Sequence, residues 1–269
     1  MNNQVHILTE AEIRRAAPSV YAPTAHPDKT TESYAFVPTS QVLDALRGEG
    51  WVPTAAQQTR VRHADNKVYT KHMLRLRNPE LPALLGGEAA PELILLNSHD
   101  RAISYRLSAG VFRFVCMNGC VVADSVFASI MVKHAHNAVD RVLEGSFEVI
   151  RNVDAIRDNV ERLASAQLTE GEALAFAEAA TVLRYGDLEA APINPEQLLL
   201  QRRAEDNGMD AWHVFNRIQE NTVRGGLQGV SSNGRRVRTG ALYNLHRNVG
   251  VNKDLWELAN TVAGIKLAA

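Results

Sequence analysis

Two cysteines in a chain of 269 residues are too few for a disulfide scaffold. Long apolar runs are missing as well. Asp124 interrupts the most apolar region, and nothing approaches the roughly 18 uninterrupted apolar residues of a membrane span. Net charge is nearly absent, with 29 Lys+Arg against 30 Asp+Glu. That balance excludes a chain that is basic throughout, and equally an acidic nucleic-acid mimic. A site for nucleic acid must therefore arise from charge segregated within the fold. No Walker A sequence and no dinucleotide-binding fingerprint occurs. Cys116 and Cys120 lack the two further soft ligands that zinc requires and read as packing residues, while His134 and His136 point to different faces of a helix. The opening MNNQVHILTEAEIRR lacks the basic-then-apolar order of a secretory leader. The expectation is a cytoplasmic protein with no membrane contact, metal or cofactor.

What remains is ordinary globular composition, 45% hydrophobic and 22% charged. Pro18, Pro23 and Pro27 crowd residues 1–35, which read as an arm, loosely structured or docking. Residues 36–269 read as one α+β domain, a sheet-containing core over 36–150 and a helical part over 151–269. Thr39 is the expected N-cap of a helix carrying Val42, Leu43 and Leu46, with Gly48 as its stop. Residues 57–63 and 68–77 read as a hairpin around the turn at 64–67. Leu93–Leu96, 102–108 and Val111–Met117 read as further strands, giving an antiparallel sheet over about 55–122 packed on helices. In the helical half, Thr169 with Glu172 forms a capping-box pattern; Asn194-Pro195, Asp210 and Asn252 are the other expected helix starts. Trp51, Trp212 and Trp256 read as core anchors.

Alternation places Arg60, Arg62, Lys71, Arg75, Arg77, Arg106 and Arg113 opposite apolar neighbours. If the strands share one sheet, one face packs on helices and the other is a basic plane that attracts phosphate. An ordinary solvated sheet face gives the same alternation. A second basic segment carries Arg224, Arg235, Arg236 and Arg238 around a Gly- and Ser-rich stretch. Glycines let backbone N–H groups approach an anion, and arginines grip phosphate in bidentate fashion. A plain surface loop is the alternative. Acidic residues over 170–189, including Glu170, Glu172, Glu178, Asp187 and Glu189, offset this charge. Tyr69, Tyr105 and Tyr243 lie near the basic segments as candidate base-stackers, although Tyr105 shares a face with Ile103 and Leu107. His99 and Asp100, beside Ser98, have the residue types for acid–base chemistry, but adjacent side chains on an extended segment diverge.

Two stretches resemble a known family. Leu96-Asn97-Ser98-His99-Asp100, Leu107 to Arg113 and Cys116-Met117-Asn118-Gly119 are similar to the central motif of the phage/plasmid-like proteins, domain-of-unknown-function family 932. Glu220-Asn221, Arg224-Gly225-Gly226, Gly234-Arg235-Arg236 and Asn252 to Trp256 are similar to its C-terminal pattern. The likeness spans roughly residues 35–265, and departs at Thr239-Gly240-Ala241, where another arginine or a bulkier residue is expected. It implies a protein of phages, plasmids or integrative elements. More distantly, the order of elements from Val42 to Trp51, through the strands, to the helix after Asp124 resembles the core of single-strand annealing recombinases. That resemblance implies ATP-independent binding and annealing of single-stranded DNA by a homo-oligomeric ring or filament, with no catalytic residue. Two other readings stand beside it: a protein-interaction module that modulates host defence, and a nucleic-acid-processing enzyme around His99 and Asp100.

Overall fold

The computed structural model describes residues 6–30, 35–61, 64–85, 89–113, 119–121, 130–132 and 137–269. The fold is α+β, and the chain forms two compact units: Met1–Phe114 with Asp124–Asp154, and Val115–Ala123 with Ala155–Ala269.

In the first unit, α1 (Glu10–Ala16) opens with a capping box between Thr9 and Glu12 and buries Ile13. A 3-10 turn, Pro18–Tyr21, follows with proline at its start, where a missing N–H costs nothing. Of the segment read as an arm, the described residues 6–30 dock on this chain's own strand: Leu8 N–H donates to Pro53 O at 2.8 Å. Helix α2 (Thr39–Gly48) buries Val42, Leu43 and Leu46, as the spacing predicts. Its stop lies two residues beyond Gly48. Trp51 N–H reaches back to Leu46 O and Gly50 N–H to Arg47 O, a Schellman turn that needs the positive φ of +83° at Gly50.

The sheet runs in spatial order β1 (Val52–Gln58), β2 (His72–Arg77), β3 (Ala89–Asn97) and β4 (Tyr105–Arg113), all antiparallel. A short β6 (Ile130–Val132) pairs with the start of β4, and β5 (Gly119–Val121) belongs to the second unit. The stretches read as two strands, 102–108 and 111–117, meet in the single strand β4 as far as Arg113; 114–117 lie outside the described residues. The first hairpin strand begins five residues earlier than the sequence suggests, at Val52 rather than 57. Pairing with β2 overrides the weak β propensity of its proline and alanines. Arg60 consequently lies beyond the strand.

Register fixes two faces. His72, Leu74, Leu76, Leu93, Leu95, Asn97, Tyr105 and Leu107 share one; Met73, Arg75, Arg77, Glu92, Ile94, Leu96, Arg106 and Ser108 share the other. Every residue of both sets except Arg106 is buried. The sheet is covered on both sides, and the expected wet face is absent from its centre. Helix α3 (Ala138–Arg151) packs against β4, β6 and α2.

Thr39 is not an N-cap; Pro38 holds that place without a side-chain bond. The Thr39 hydroxyl instead enters a fully buried polar cluster. Asn97 Nδ2 donates to it at 2.9 Å, and the Nε2 atoms of His72 and His99 lie 2.9 and 3.2 Å away. Proton counting orients the chain. His72 Nδ1 faces the Thr70 carbonyl, which only accepts, and the Ser19 hydroxyl, whose proton goes to Gln58 Oε1 at 2.7 Å. An imidazole carrying one proton thus bears it on Nδ1, and its Nε2 then accepts from Thr39. The remaining Thr39 lone pair takes the Nε2 proton of His99. Tyr105, 3.3 Å from Thr39, donates to Val37 O at 2.7 Å. One directed run of bonds joins His99, Thr39, His72, Ser19 and Gln58.

In the second unit, α4 (Val153–Ser165), α5 (Glu170–Tyr185), α6 (Ala211–Arg224) and α7 (Leu245–Ala268) carry the core. Phe215 meets Trp256 edge-on at 5.6 Å and Trp212 at 6.2 Å; all three tryptophans of the chain are fully buried. The capping box at Thr169 and the cap at Asp210 form as read. Asn194 caps only the 3-10 turn Pro195–Leu199. Asn244, not Asn252, caps α7; Asn252 sits inside the helix and accepts from Gln219 at 2.7 Å. A hairpin of β7 (Gln228–Val230) and β8 (Arg236–Arg238) occupies the Gly- and Ser-rich stretch.

Replacing Thr39 by Val strands Asn97 and an imidazole nitrogen in the core. We expect a loss of about 1–3 kcal/mol in urea unfolding, with Thr39→Ser retaining most of the stability.

Candidate anion-binding site

The two sets of candidate arginines lie in different units. From the sheet, Arg75 and Arg77 are buried beside Glu92, and Arg75 donates to the Glu92 carboxylate. Burial pulls the Arg77 guanidinium down to about 10, partly countered by Glu92 and reinforced by Arg75. Burial likewise pushes the Glu92 carboxyl up, against the pull of both arginines. These two arginines therefore serve an internal ion cluster and do not lie on an open basic plane. Arg60 is exposed, while Lys71 and Arg106 are half-buried. Arg62 lies outside the described residues, and Arg113 is described only by its backbone in β4. Cys116, His134 and His136 also lie outside them, and Cys120 is described by its backbone alone.

The second unit gathers its arginines around one acid. Glu220, in α6, is buried and accepts from Arg203 at 2.9 Å and from Arg224 one helical turn on. Arg202 Nε donates to Asn221 Oδ1, and Arg202 Nη2 to Gly225 O. Arg238 Nε donates to Gly226 O at 2.9 Å. Burial lowers the Arg202 pKa; Glu220 opposes this, and Arg224, Arg203 and Arg238 add to it. Two guanidinium groups thus bond the Glu220 carboxylate, and those of Arg202 and Arg238 stand beside them on backbone carbonyls and an amide. Each of Arg202, Arg224 and Arg238 spends only part of its five-donor fork on these bonds, and all three side chains are exposed.

The chain turn at the end of α6 makes this arrangement possible. Gly225 has φ +61°, and a Cβ there would sit 2.6 Å from Gly240 O, so glycine is required. Gly226 N–H then bonds Thr239 O at 2.7 Å, which brings β8 alongside. In the hairpin, Arg238 opposes Gln228 and Arg236 opposes Val230, so Arg236 and Arg238 share a face, both exposed. Arg235, also exposed, closes the turn, where its N–H meets Ser231 Oγ at 3.3 Å. The sequence reading named Arg224, Arg235, Arg236 and Arg238 and missed Arg202. Its signal was the Arg202-Arg203 pair, which lies far in sequence from the glycines it braces.

His99 and Asp100 diverge. His99 is fully buried in the Thr39 cluster; Asp100 accepts from Ala102 N–H at 3.1 Å and faces Lys29 at 3.7 Å. Ser98 Oγ bonds the backbone of Ile103. Among the described residues, no three His, Cys, Asp or Glu side chains gather to hold a metal. Of the tyrosines, Tyr105 is buried, Tyr69 packs on His26, and Tyr243 is 80% exposed. Among the described residues, no helix is long and apolar enough to cross a membrane.

Burial opposes ionisation of Glu220, but Arg203 and Arg224 outweigh it and hold the carboxyl below 4.5. Asp210 is likewise held low by His213, against its burial. A carboxyl depressed in the folded state lends stability above its unfolded pKa and loses it as pH falls. Melting temperature should therefore fall below about pH 4.5, and Glu220→Gln should flatten that fall while lowering stability at pH 7. In the first unit, Glu92→Ala removes the buried carboxylate beside two buried arginines; calorimetry should show a loss of about 3–5 kcal/mol.

Comparison with known proteins places these residues in context. A family model described as "Domain of unknown function (DUF932)" matches residues 28–256. The UPF0380 protein YfjQ and the UPF0380 protein YafZ, both of Escherichia coli strain K12, are each 38% identical to the chain over 255 residues. Those matches cover 95% of this chain and 91% of each relative. No solved structure matches.

Proposed function

We propose that this chain, which belongs to the DUF932 family, binds single-stranded DNA through the arginines gathered at the end of α6 and on the β7–β8 hairpin. The observation that carries the reading is the gathering of exposed cations at that place: Arg202, Arg224 and Arg238 beside Glu220, with Arg235 and Arg236 exposed on the adjoining hairpin. Guanidinium forks held on one side by carbonyls and amides are pre-aimed on the other, which lowers the entropy lost on gripping a phosphate. Contacts of this kind hold the backbone and leave base edges to pair. Annealing of complementary strands then needs only screening of the two backbones, without ATP or a catalytic side chain.

In this reading the protein works as a homo-oligomeric ring or filament in the cytoplasm, with the architecture of an annealing recombinase. Arg60, Lys71 and Arg106 of the first unit add to the field that draws DNA in. Arg75 and Arg77 contribute through the ion cluster with Glu92 that keeps the sheet in shape. Tyr243, the exposed tyrosine near the basic hairpin in sequence, is the aromatic suited to stacking on a base.

The test is anisotropy titration of a labelled oligothymidine at two salt concentrations, followed by addition of a complementary strand to a mixed-sequence probe. Salt-sensitive binding and faster pairing without ATP are expected. Arg235→Ala and Arg236→Ala should each weaken binding to all sequences and flatten the salt slope by about one unit. Unchanged affinity and slope in both variants would remove the hairpin from the site.

A further inference from the structure

A second concentration of positive charge lies in the first unit, where Arg60, expected on a basic sheet face, instead stands beyond the strand with Arg15 and Lys67. The C-terminal end of α1, the residues after β1 and the turn before β2 enclose a cleft of about 450 Å³. Arg15, Arg60 and Lys67 line it together with Pro18, Gln58 and Val61, and no acidic side chain is among its lining residues. All three cations belong to exposed residues. The size suits a small ligand or a short piece of a chain.

The cleft is braced. Gln58 accepts from the backbone N–H and the hydroxyl of Ser19 at 2.9 and 2.7 Å on one wall. Its amide Nε2 donates to Lys67 O at 2.6 Å on the other. Ser19 in turn is bonded to His72 and so to the buried Thr39 cluster. The two walls are therefore fixed before any ligand arrives, and three like charges face one concavity. Such a concavity focuses a positive potential that an anion relieves. Two guanidinium forks and one ammonium match a run of adjacent phosphoryl groups better than an isolated carboxylate, because the charges are spread along the walls.

We propose that this cleft binds a run of two or three adjacent phosphoryl groups, using Arg15, Arg60 and Lys67. The site is separate from the α6–hairpin cluster and stands whether or not that cluster binds DNA. Phosphoryl runs come from two sources, a nucleic-acid backbone or a free oligophosphate, and the experiment distinguishes them.

The full-length protein is titrated calorimetrically with inorganic tripolyphosphate, as the wild type, as Arg15→Ala/Lys67→Ala and as Arg236→Ala. Binding by the wild type and by Arg236→Ala is expected, weakened at least tenfold in the cleft variant. Both replaced residues are exposed, so an unchanged melting temperature should accompany the loss. Arg15→Lys, which keeps the charge, should retain most of the binding and serves if the double variant is unstable. The same proteins are then titrated with oligothymidine. A weaker affinity with a shallower salt slope in the cleft variant assigns the phosphates to nucleic acid. An unaffected slope assigns them to a free oligophosphate. Failure of the wild type to bind tripolyphosphate, or equal binding by the double variant, overturns the proposal.

Discussion

One hydroxyl proton organises the first unit. Thr39 has a single hydrogen to give and two lone pairs to fill, and it is surrounded by Asn97, two imidazoles and a phenol with no surface exposure. In water each of these groups would satisfy itself. Inside the protein Thr39 satisfies the Asn97 amide nitrogen and the two imidazoles at once, and few arrangements of its proton do so. That requirement ties together residues distant in sequence: the turn at Ser19, the start of α2, the start of β2 and the end of β3. The N-terminal segment is held by hydrogen bonds to Gln58 and His99 as much as by the burial of Ile13, Ala17 and Val20. The residues that first suggested acid–base chemistry, His99 with its neighbours Asn97 and Ser98, act here as fasteners.

Arginine plays two opposite parts in this chain. Arg75 and Arg77 are drawn inside around Glu92, where a charge is tolerated only because its counter-charge is buried with it. Around Glu220 the acid is buried, Arg203 is half-buried and Arg202, Arg224 and Arg238 stay outside. There the carboxylate acts as an anchor from which guanidinium groups extend toward solvent, and the number of cations exceeds what it neutralises. Sequence parity cannot separate these cases. A basic residue opposite an apolar one shows that the two point to different faces, and says nothing about which face is wet.

Much of the architecture was nonetheless legible. The α+β class, the antiparallel pairing, the stripe of α2, the capping box at Thr169 and the burial of all three tryptophans follow from period and cap chemistry. What escaped was decided by tertiary partners. Thr39 has the residue type of a cap but is claimed by the histidines. Asn252 has the same type and is claimed by Gln219 inside α7. The prolines of the N-terminal segment suggested an arm, loosely structured or docking, and Pro18 begins a turn within it. In the candidate site, the glycines and hairpin arginines were visible as a composition. Arg202 was not, because the contact that matters joins it to Asn221 and Gly225.

The order of the chain has a consequence for synthesis. Strand β5 belongs to the second unit and packs against α7, which begins about 120 residues later. At 5–20 residues per second, a ribosome needs roughly 6–25 s to make the intervening chain. During that interval β5 exists and its helix has not been made. The first unit, meanwhile, needs residues up to Asp154, which follow β5. Neither unit is a continuous stretch that folds and then makes way for the next. The nascent chain must carry a strand of one unit through the completion of the other.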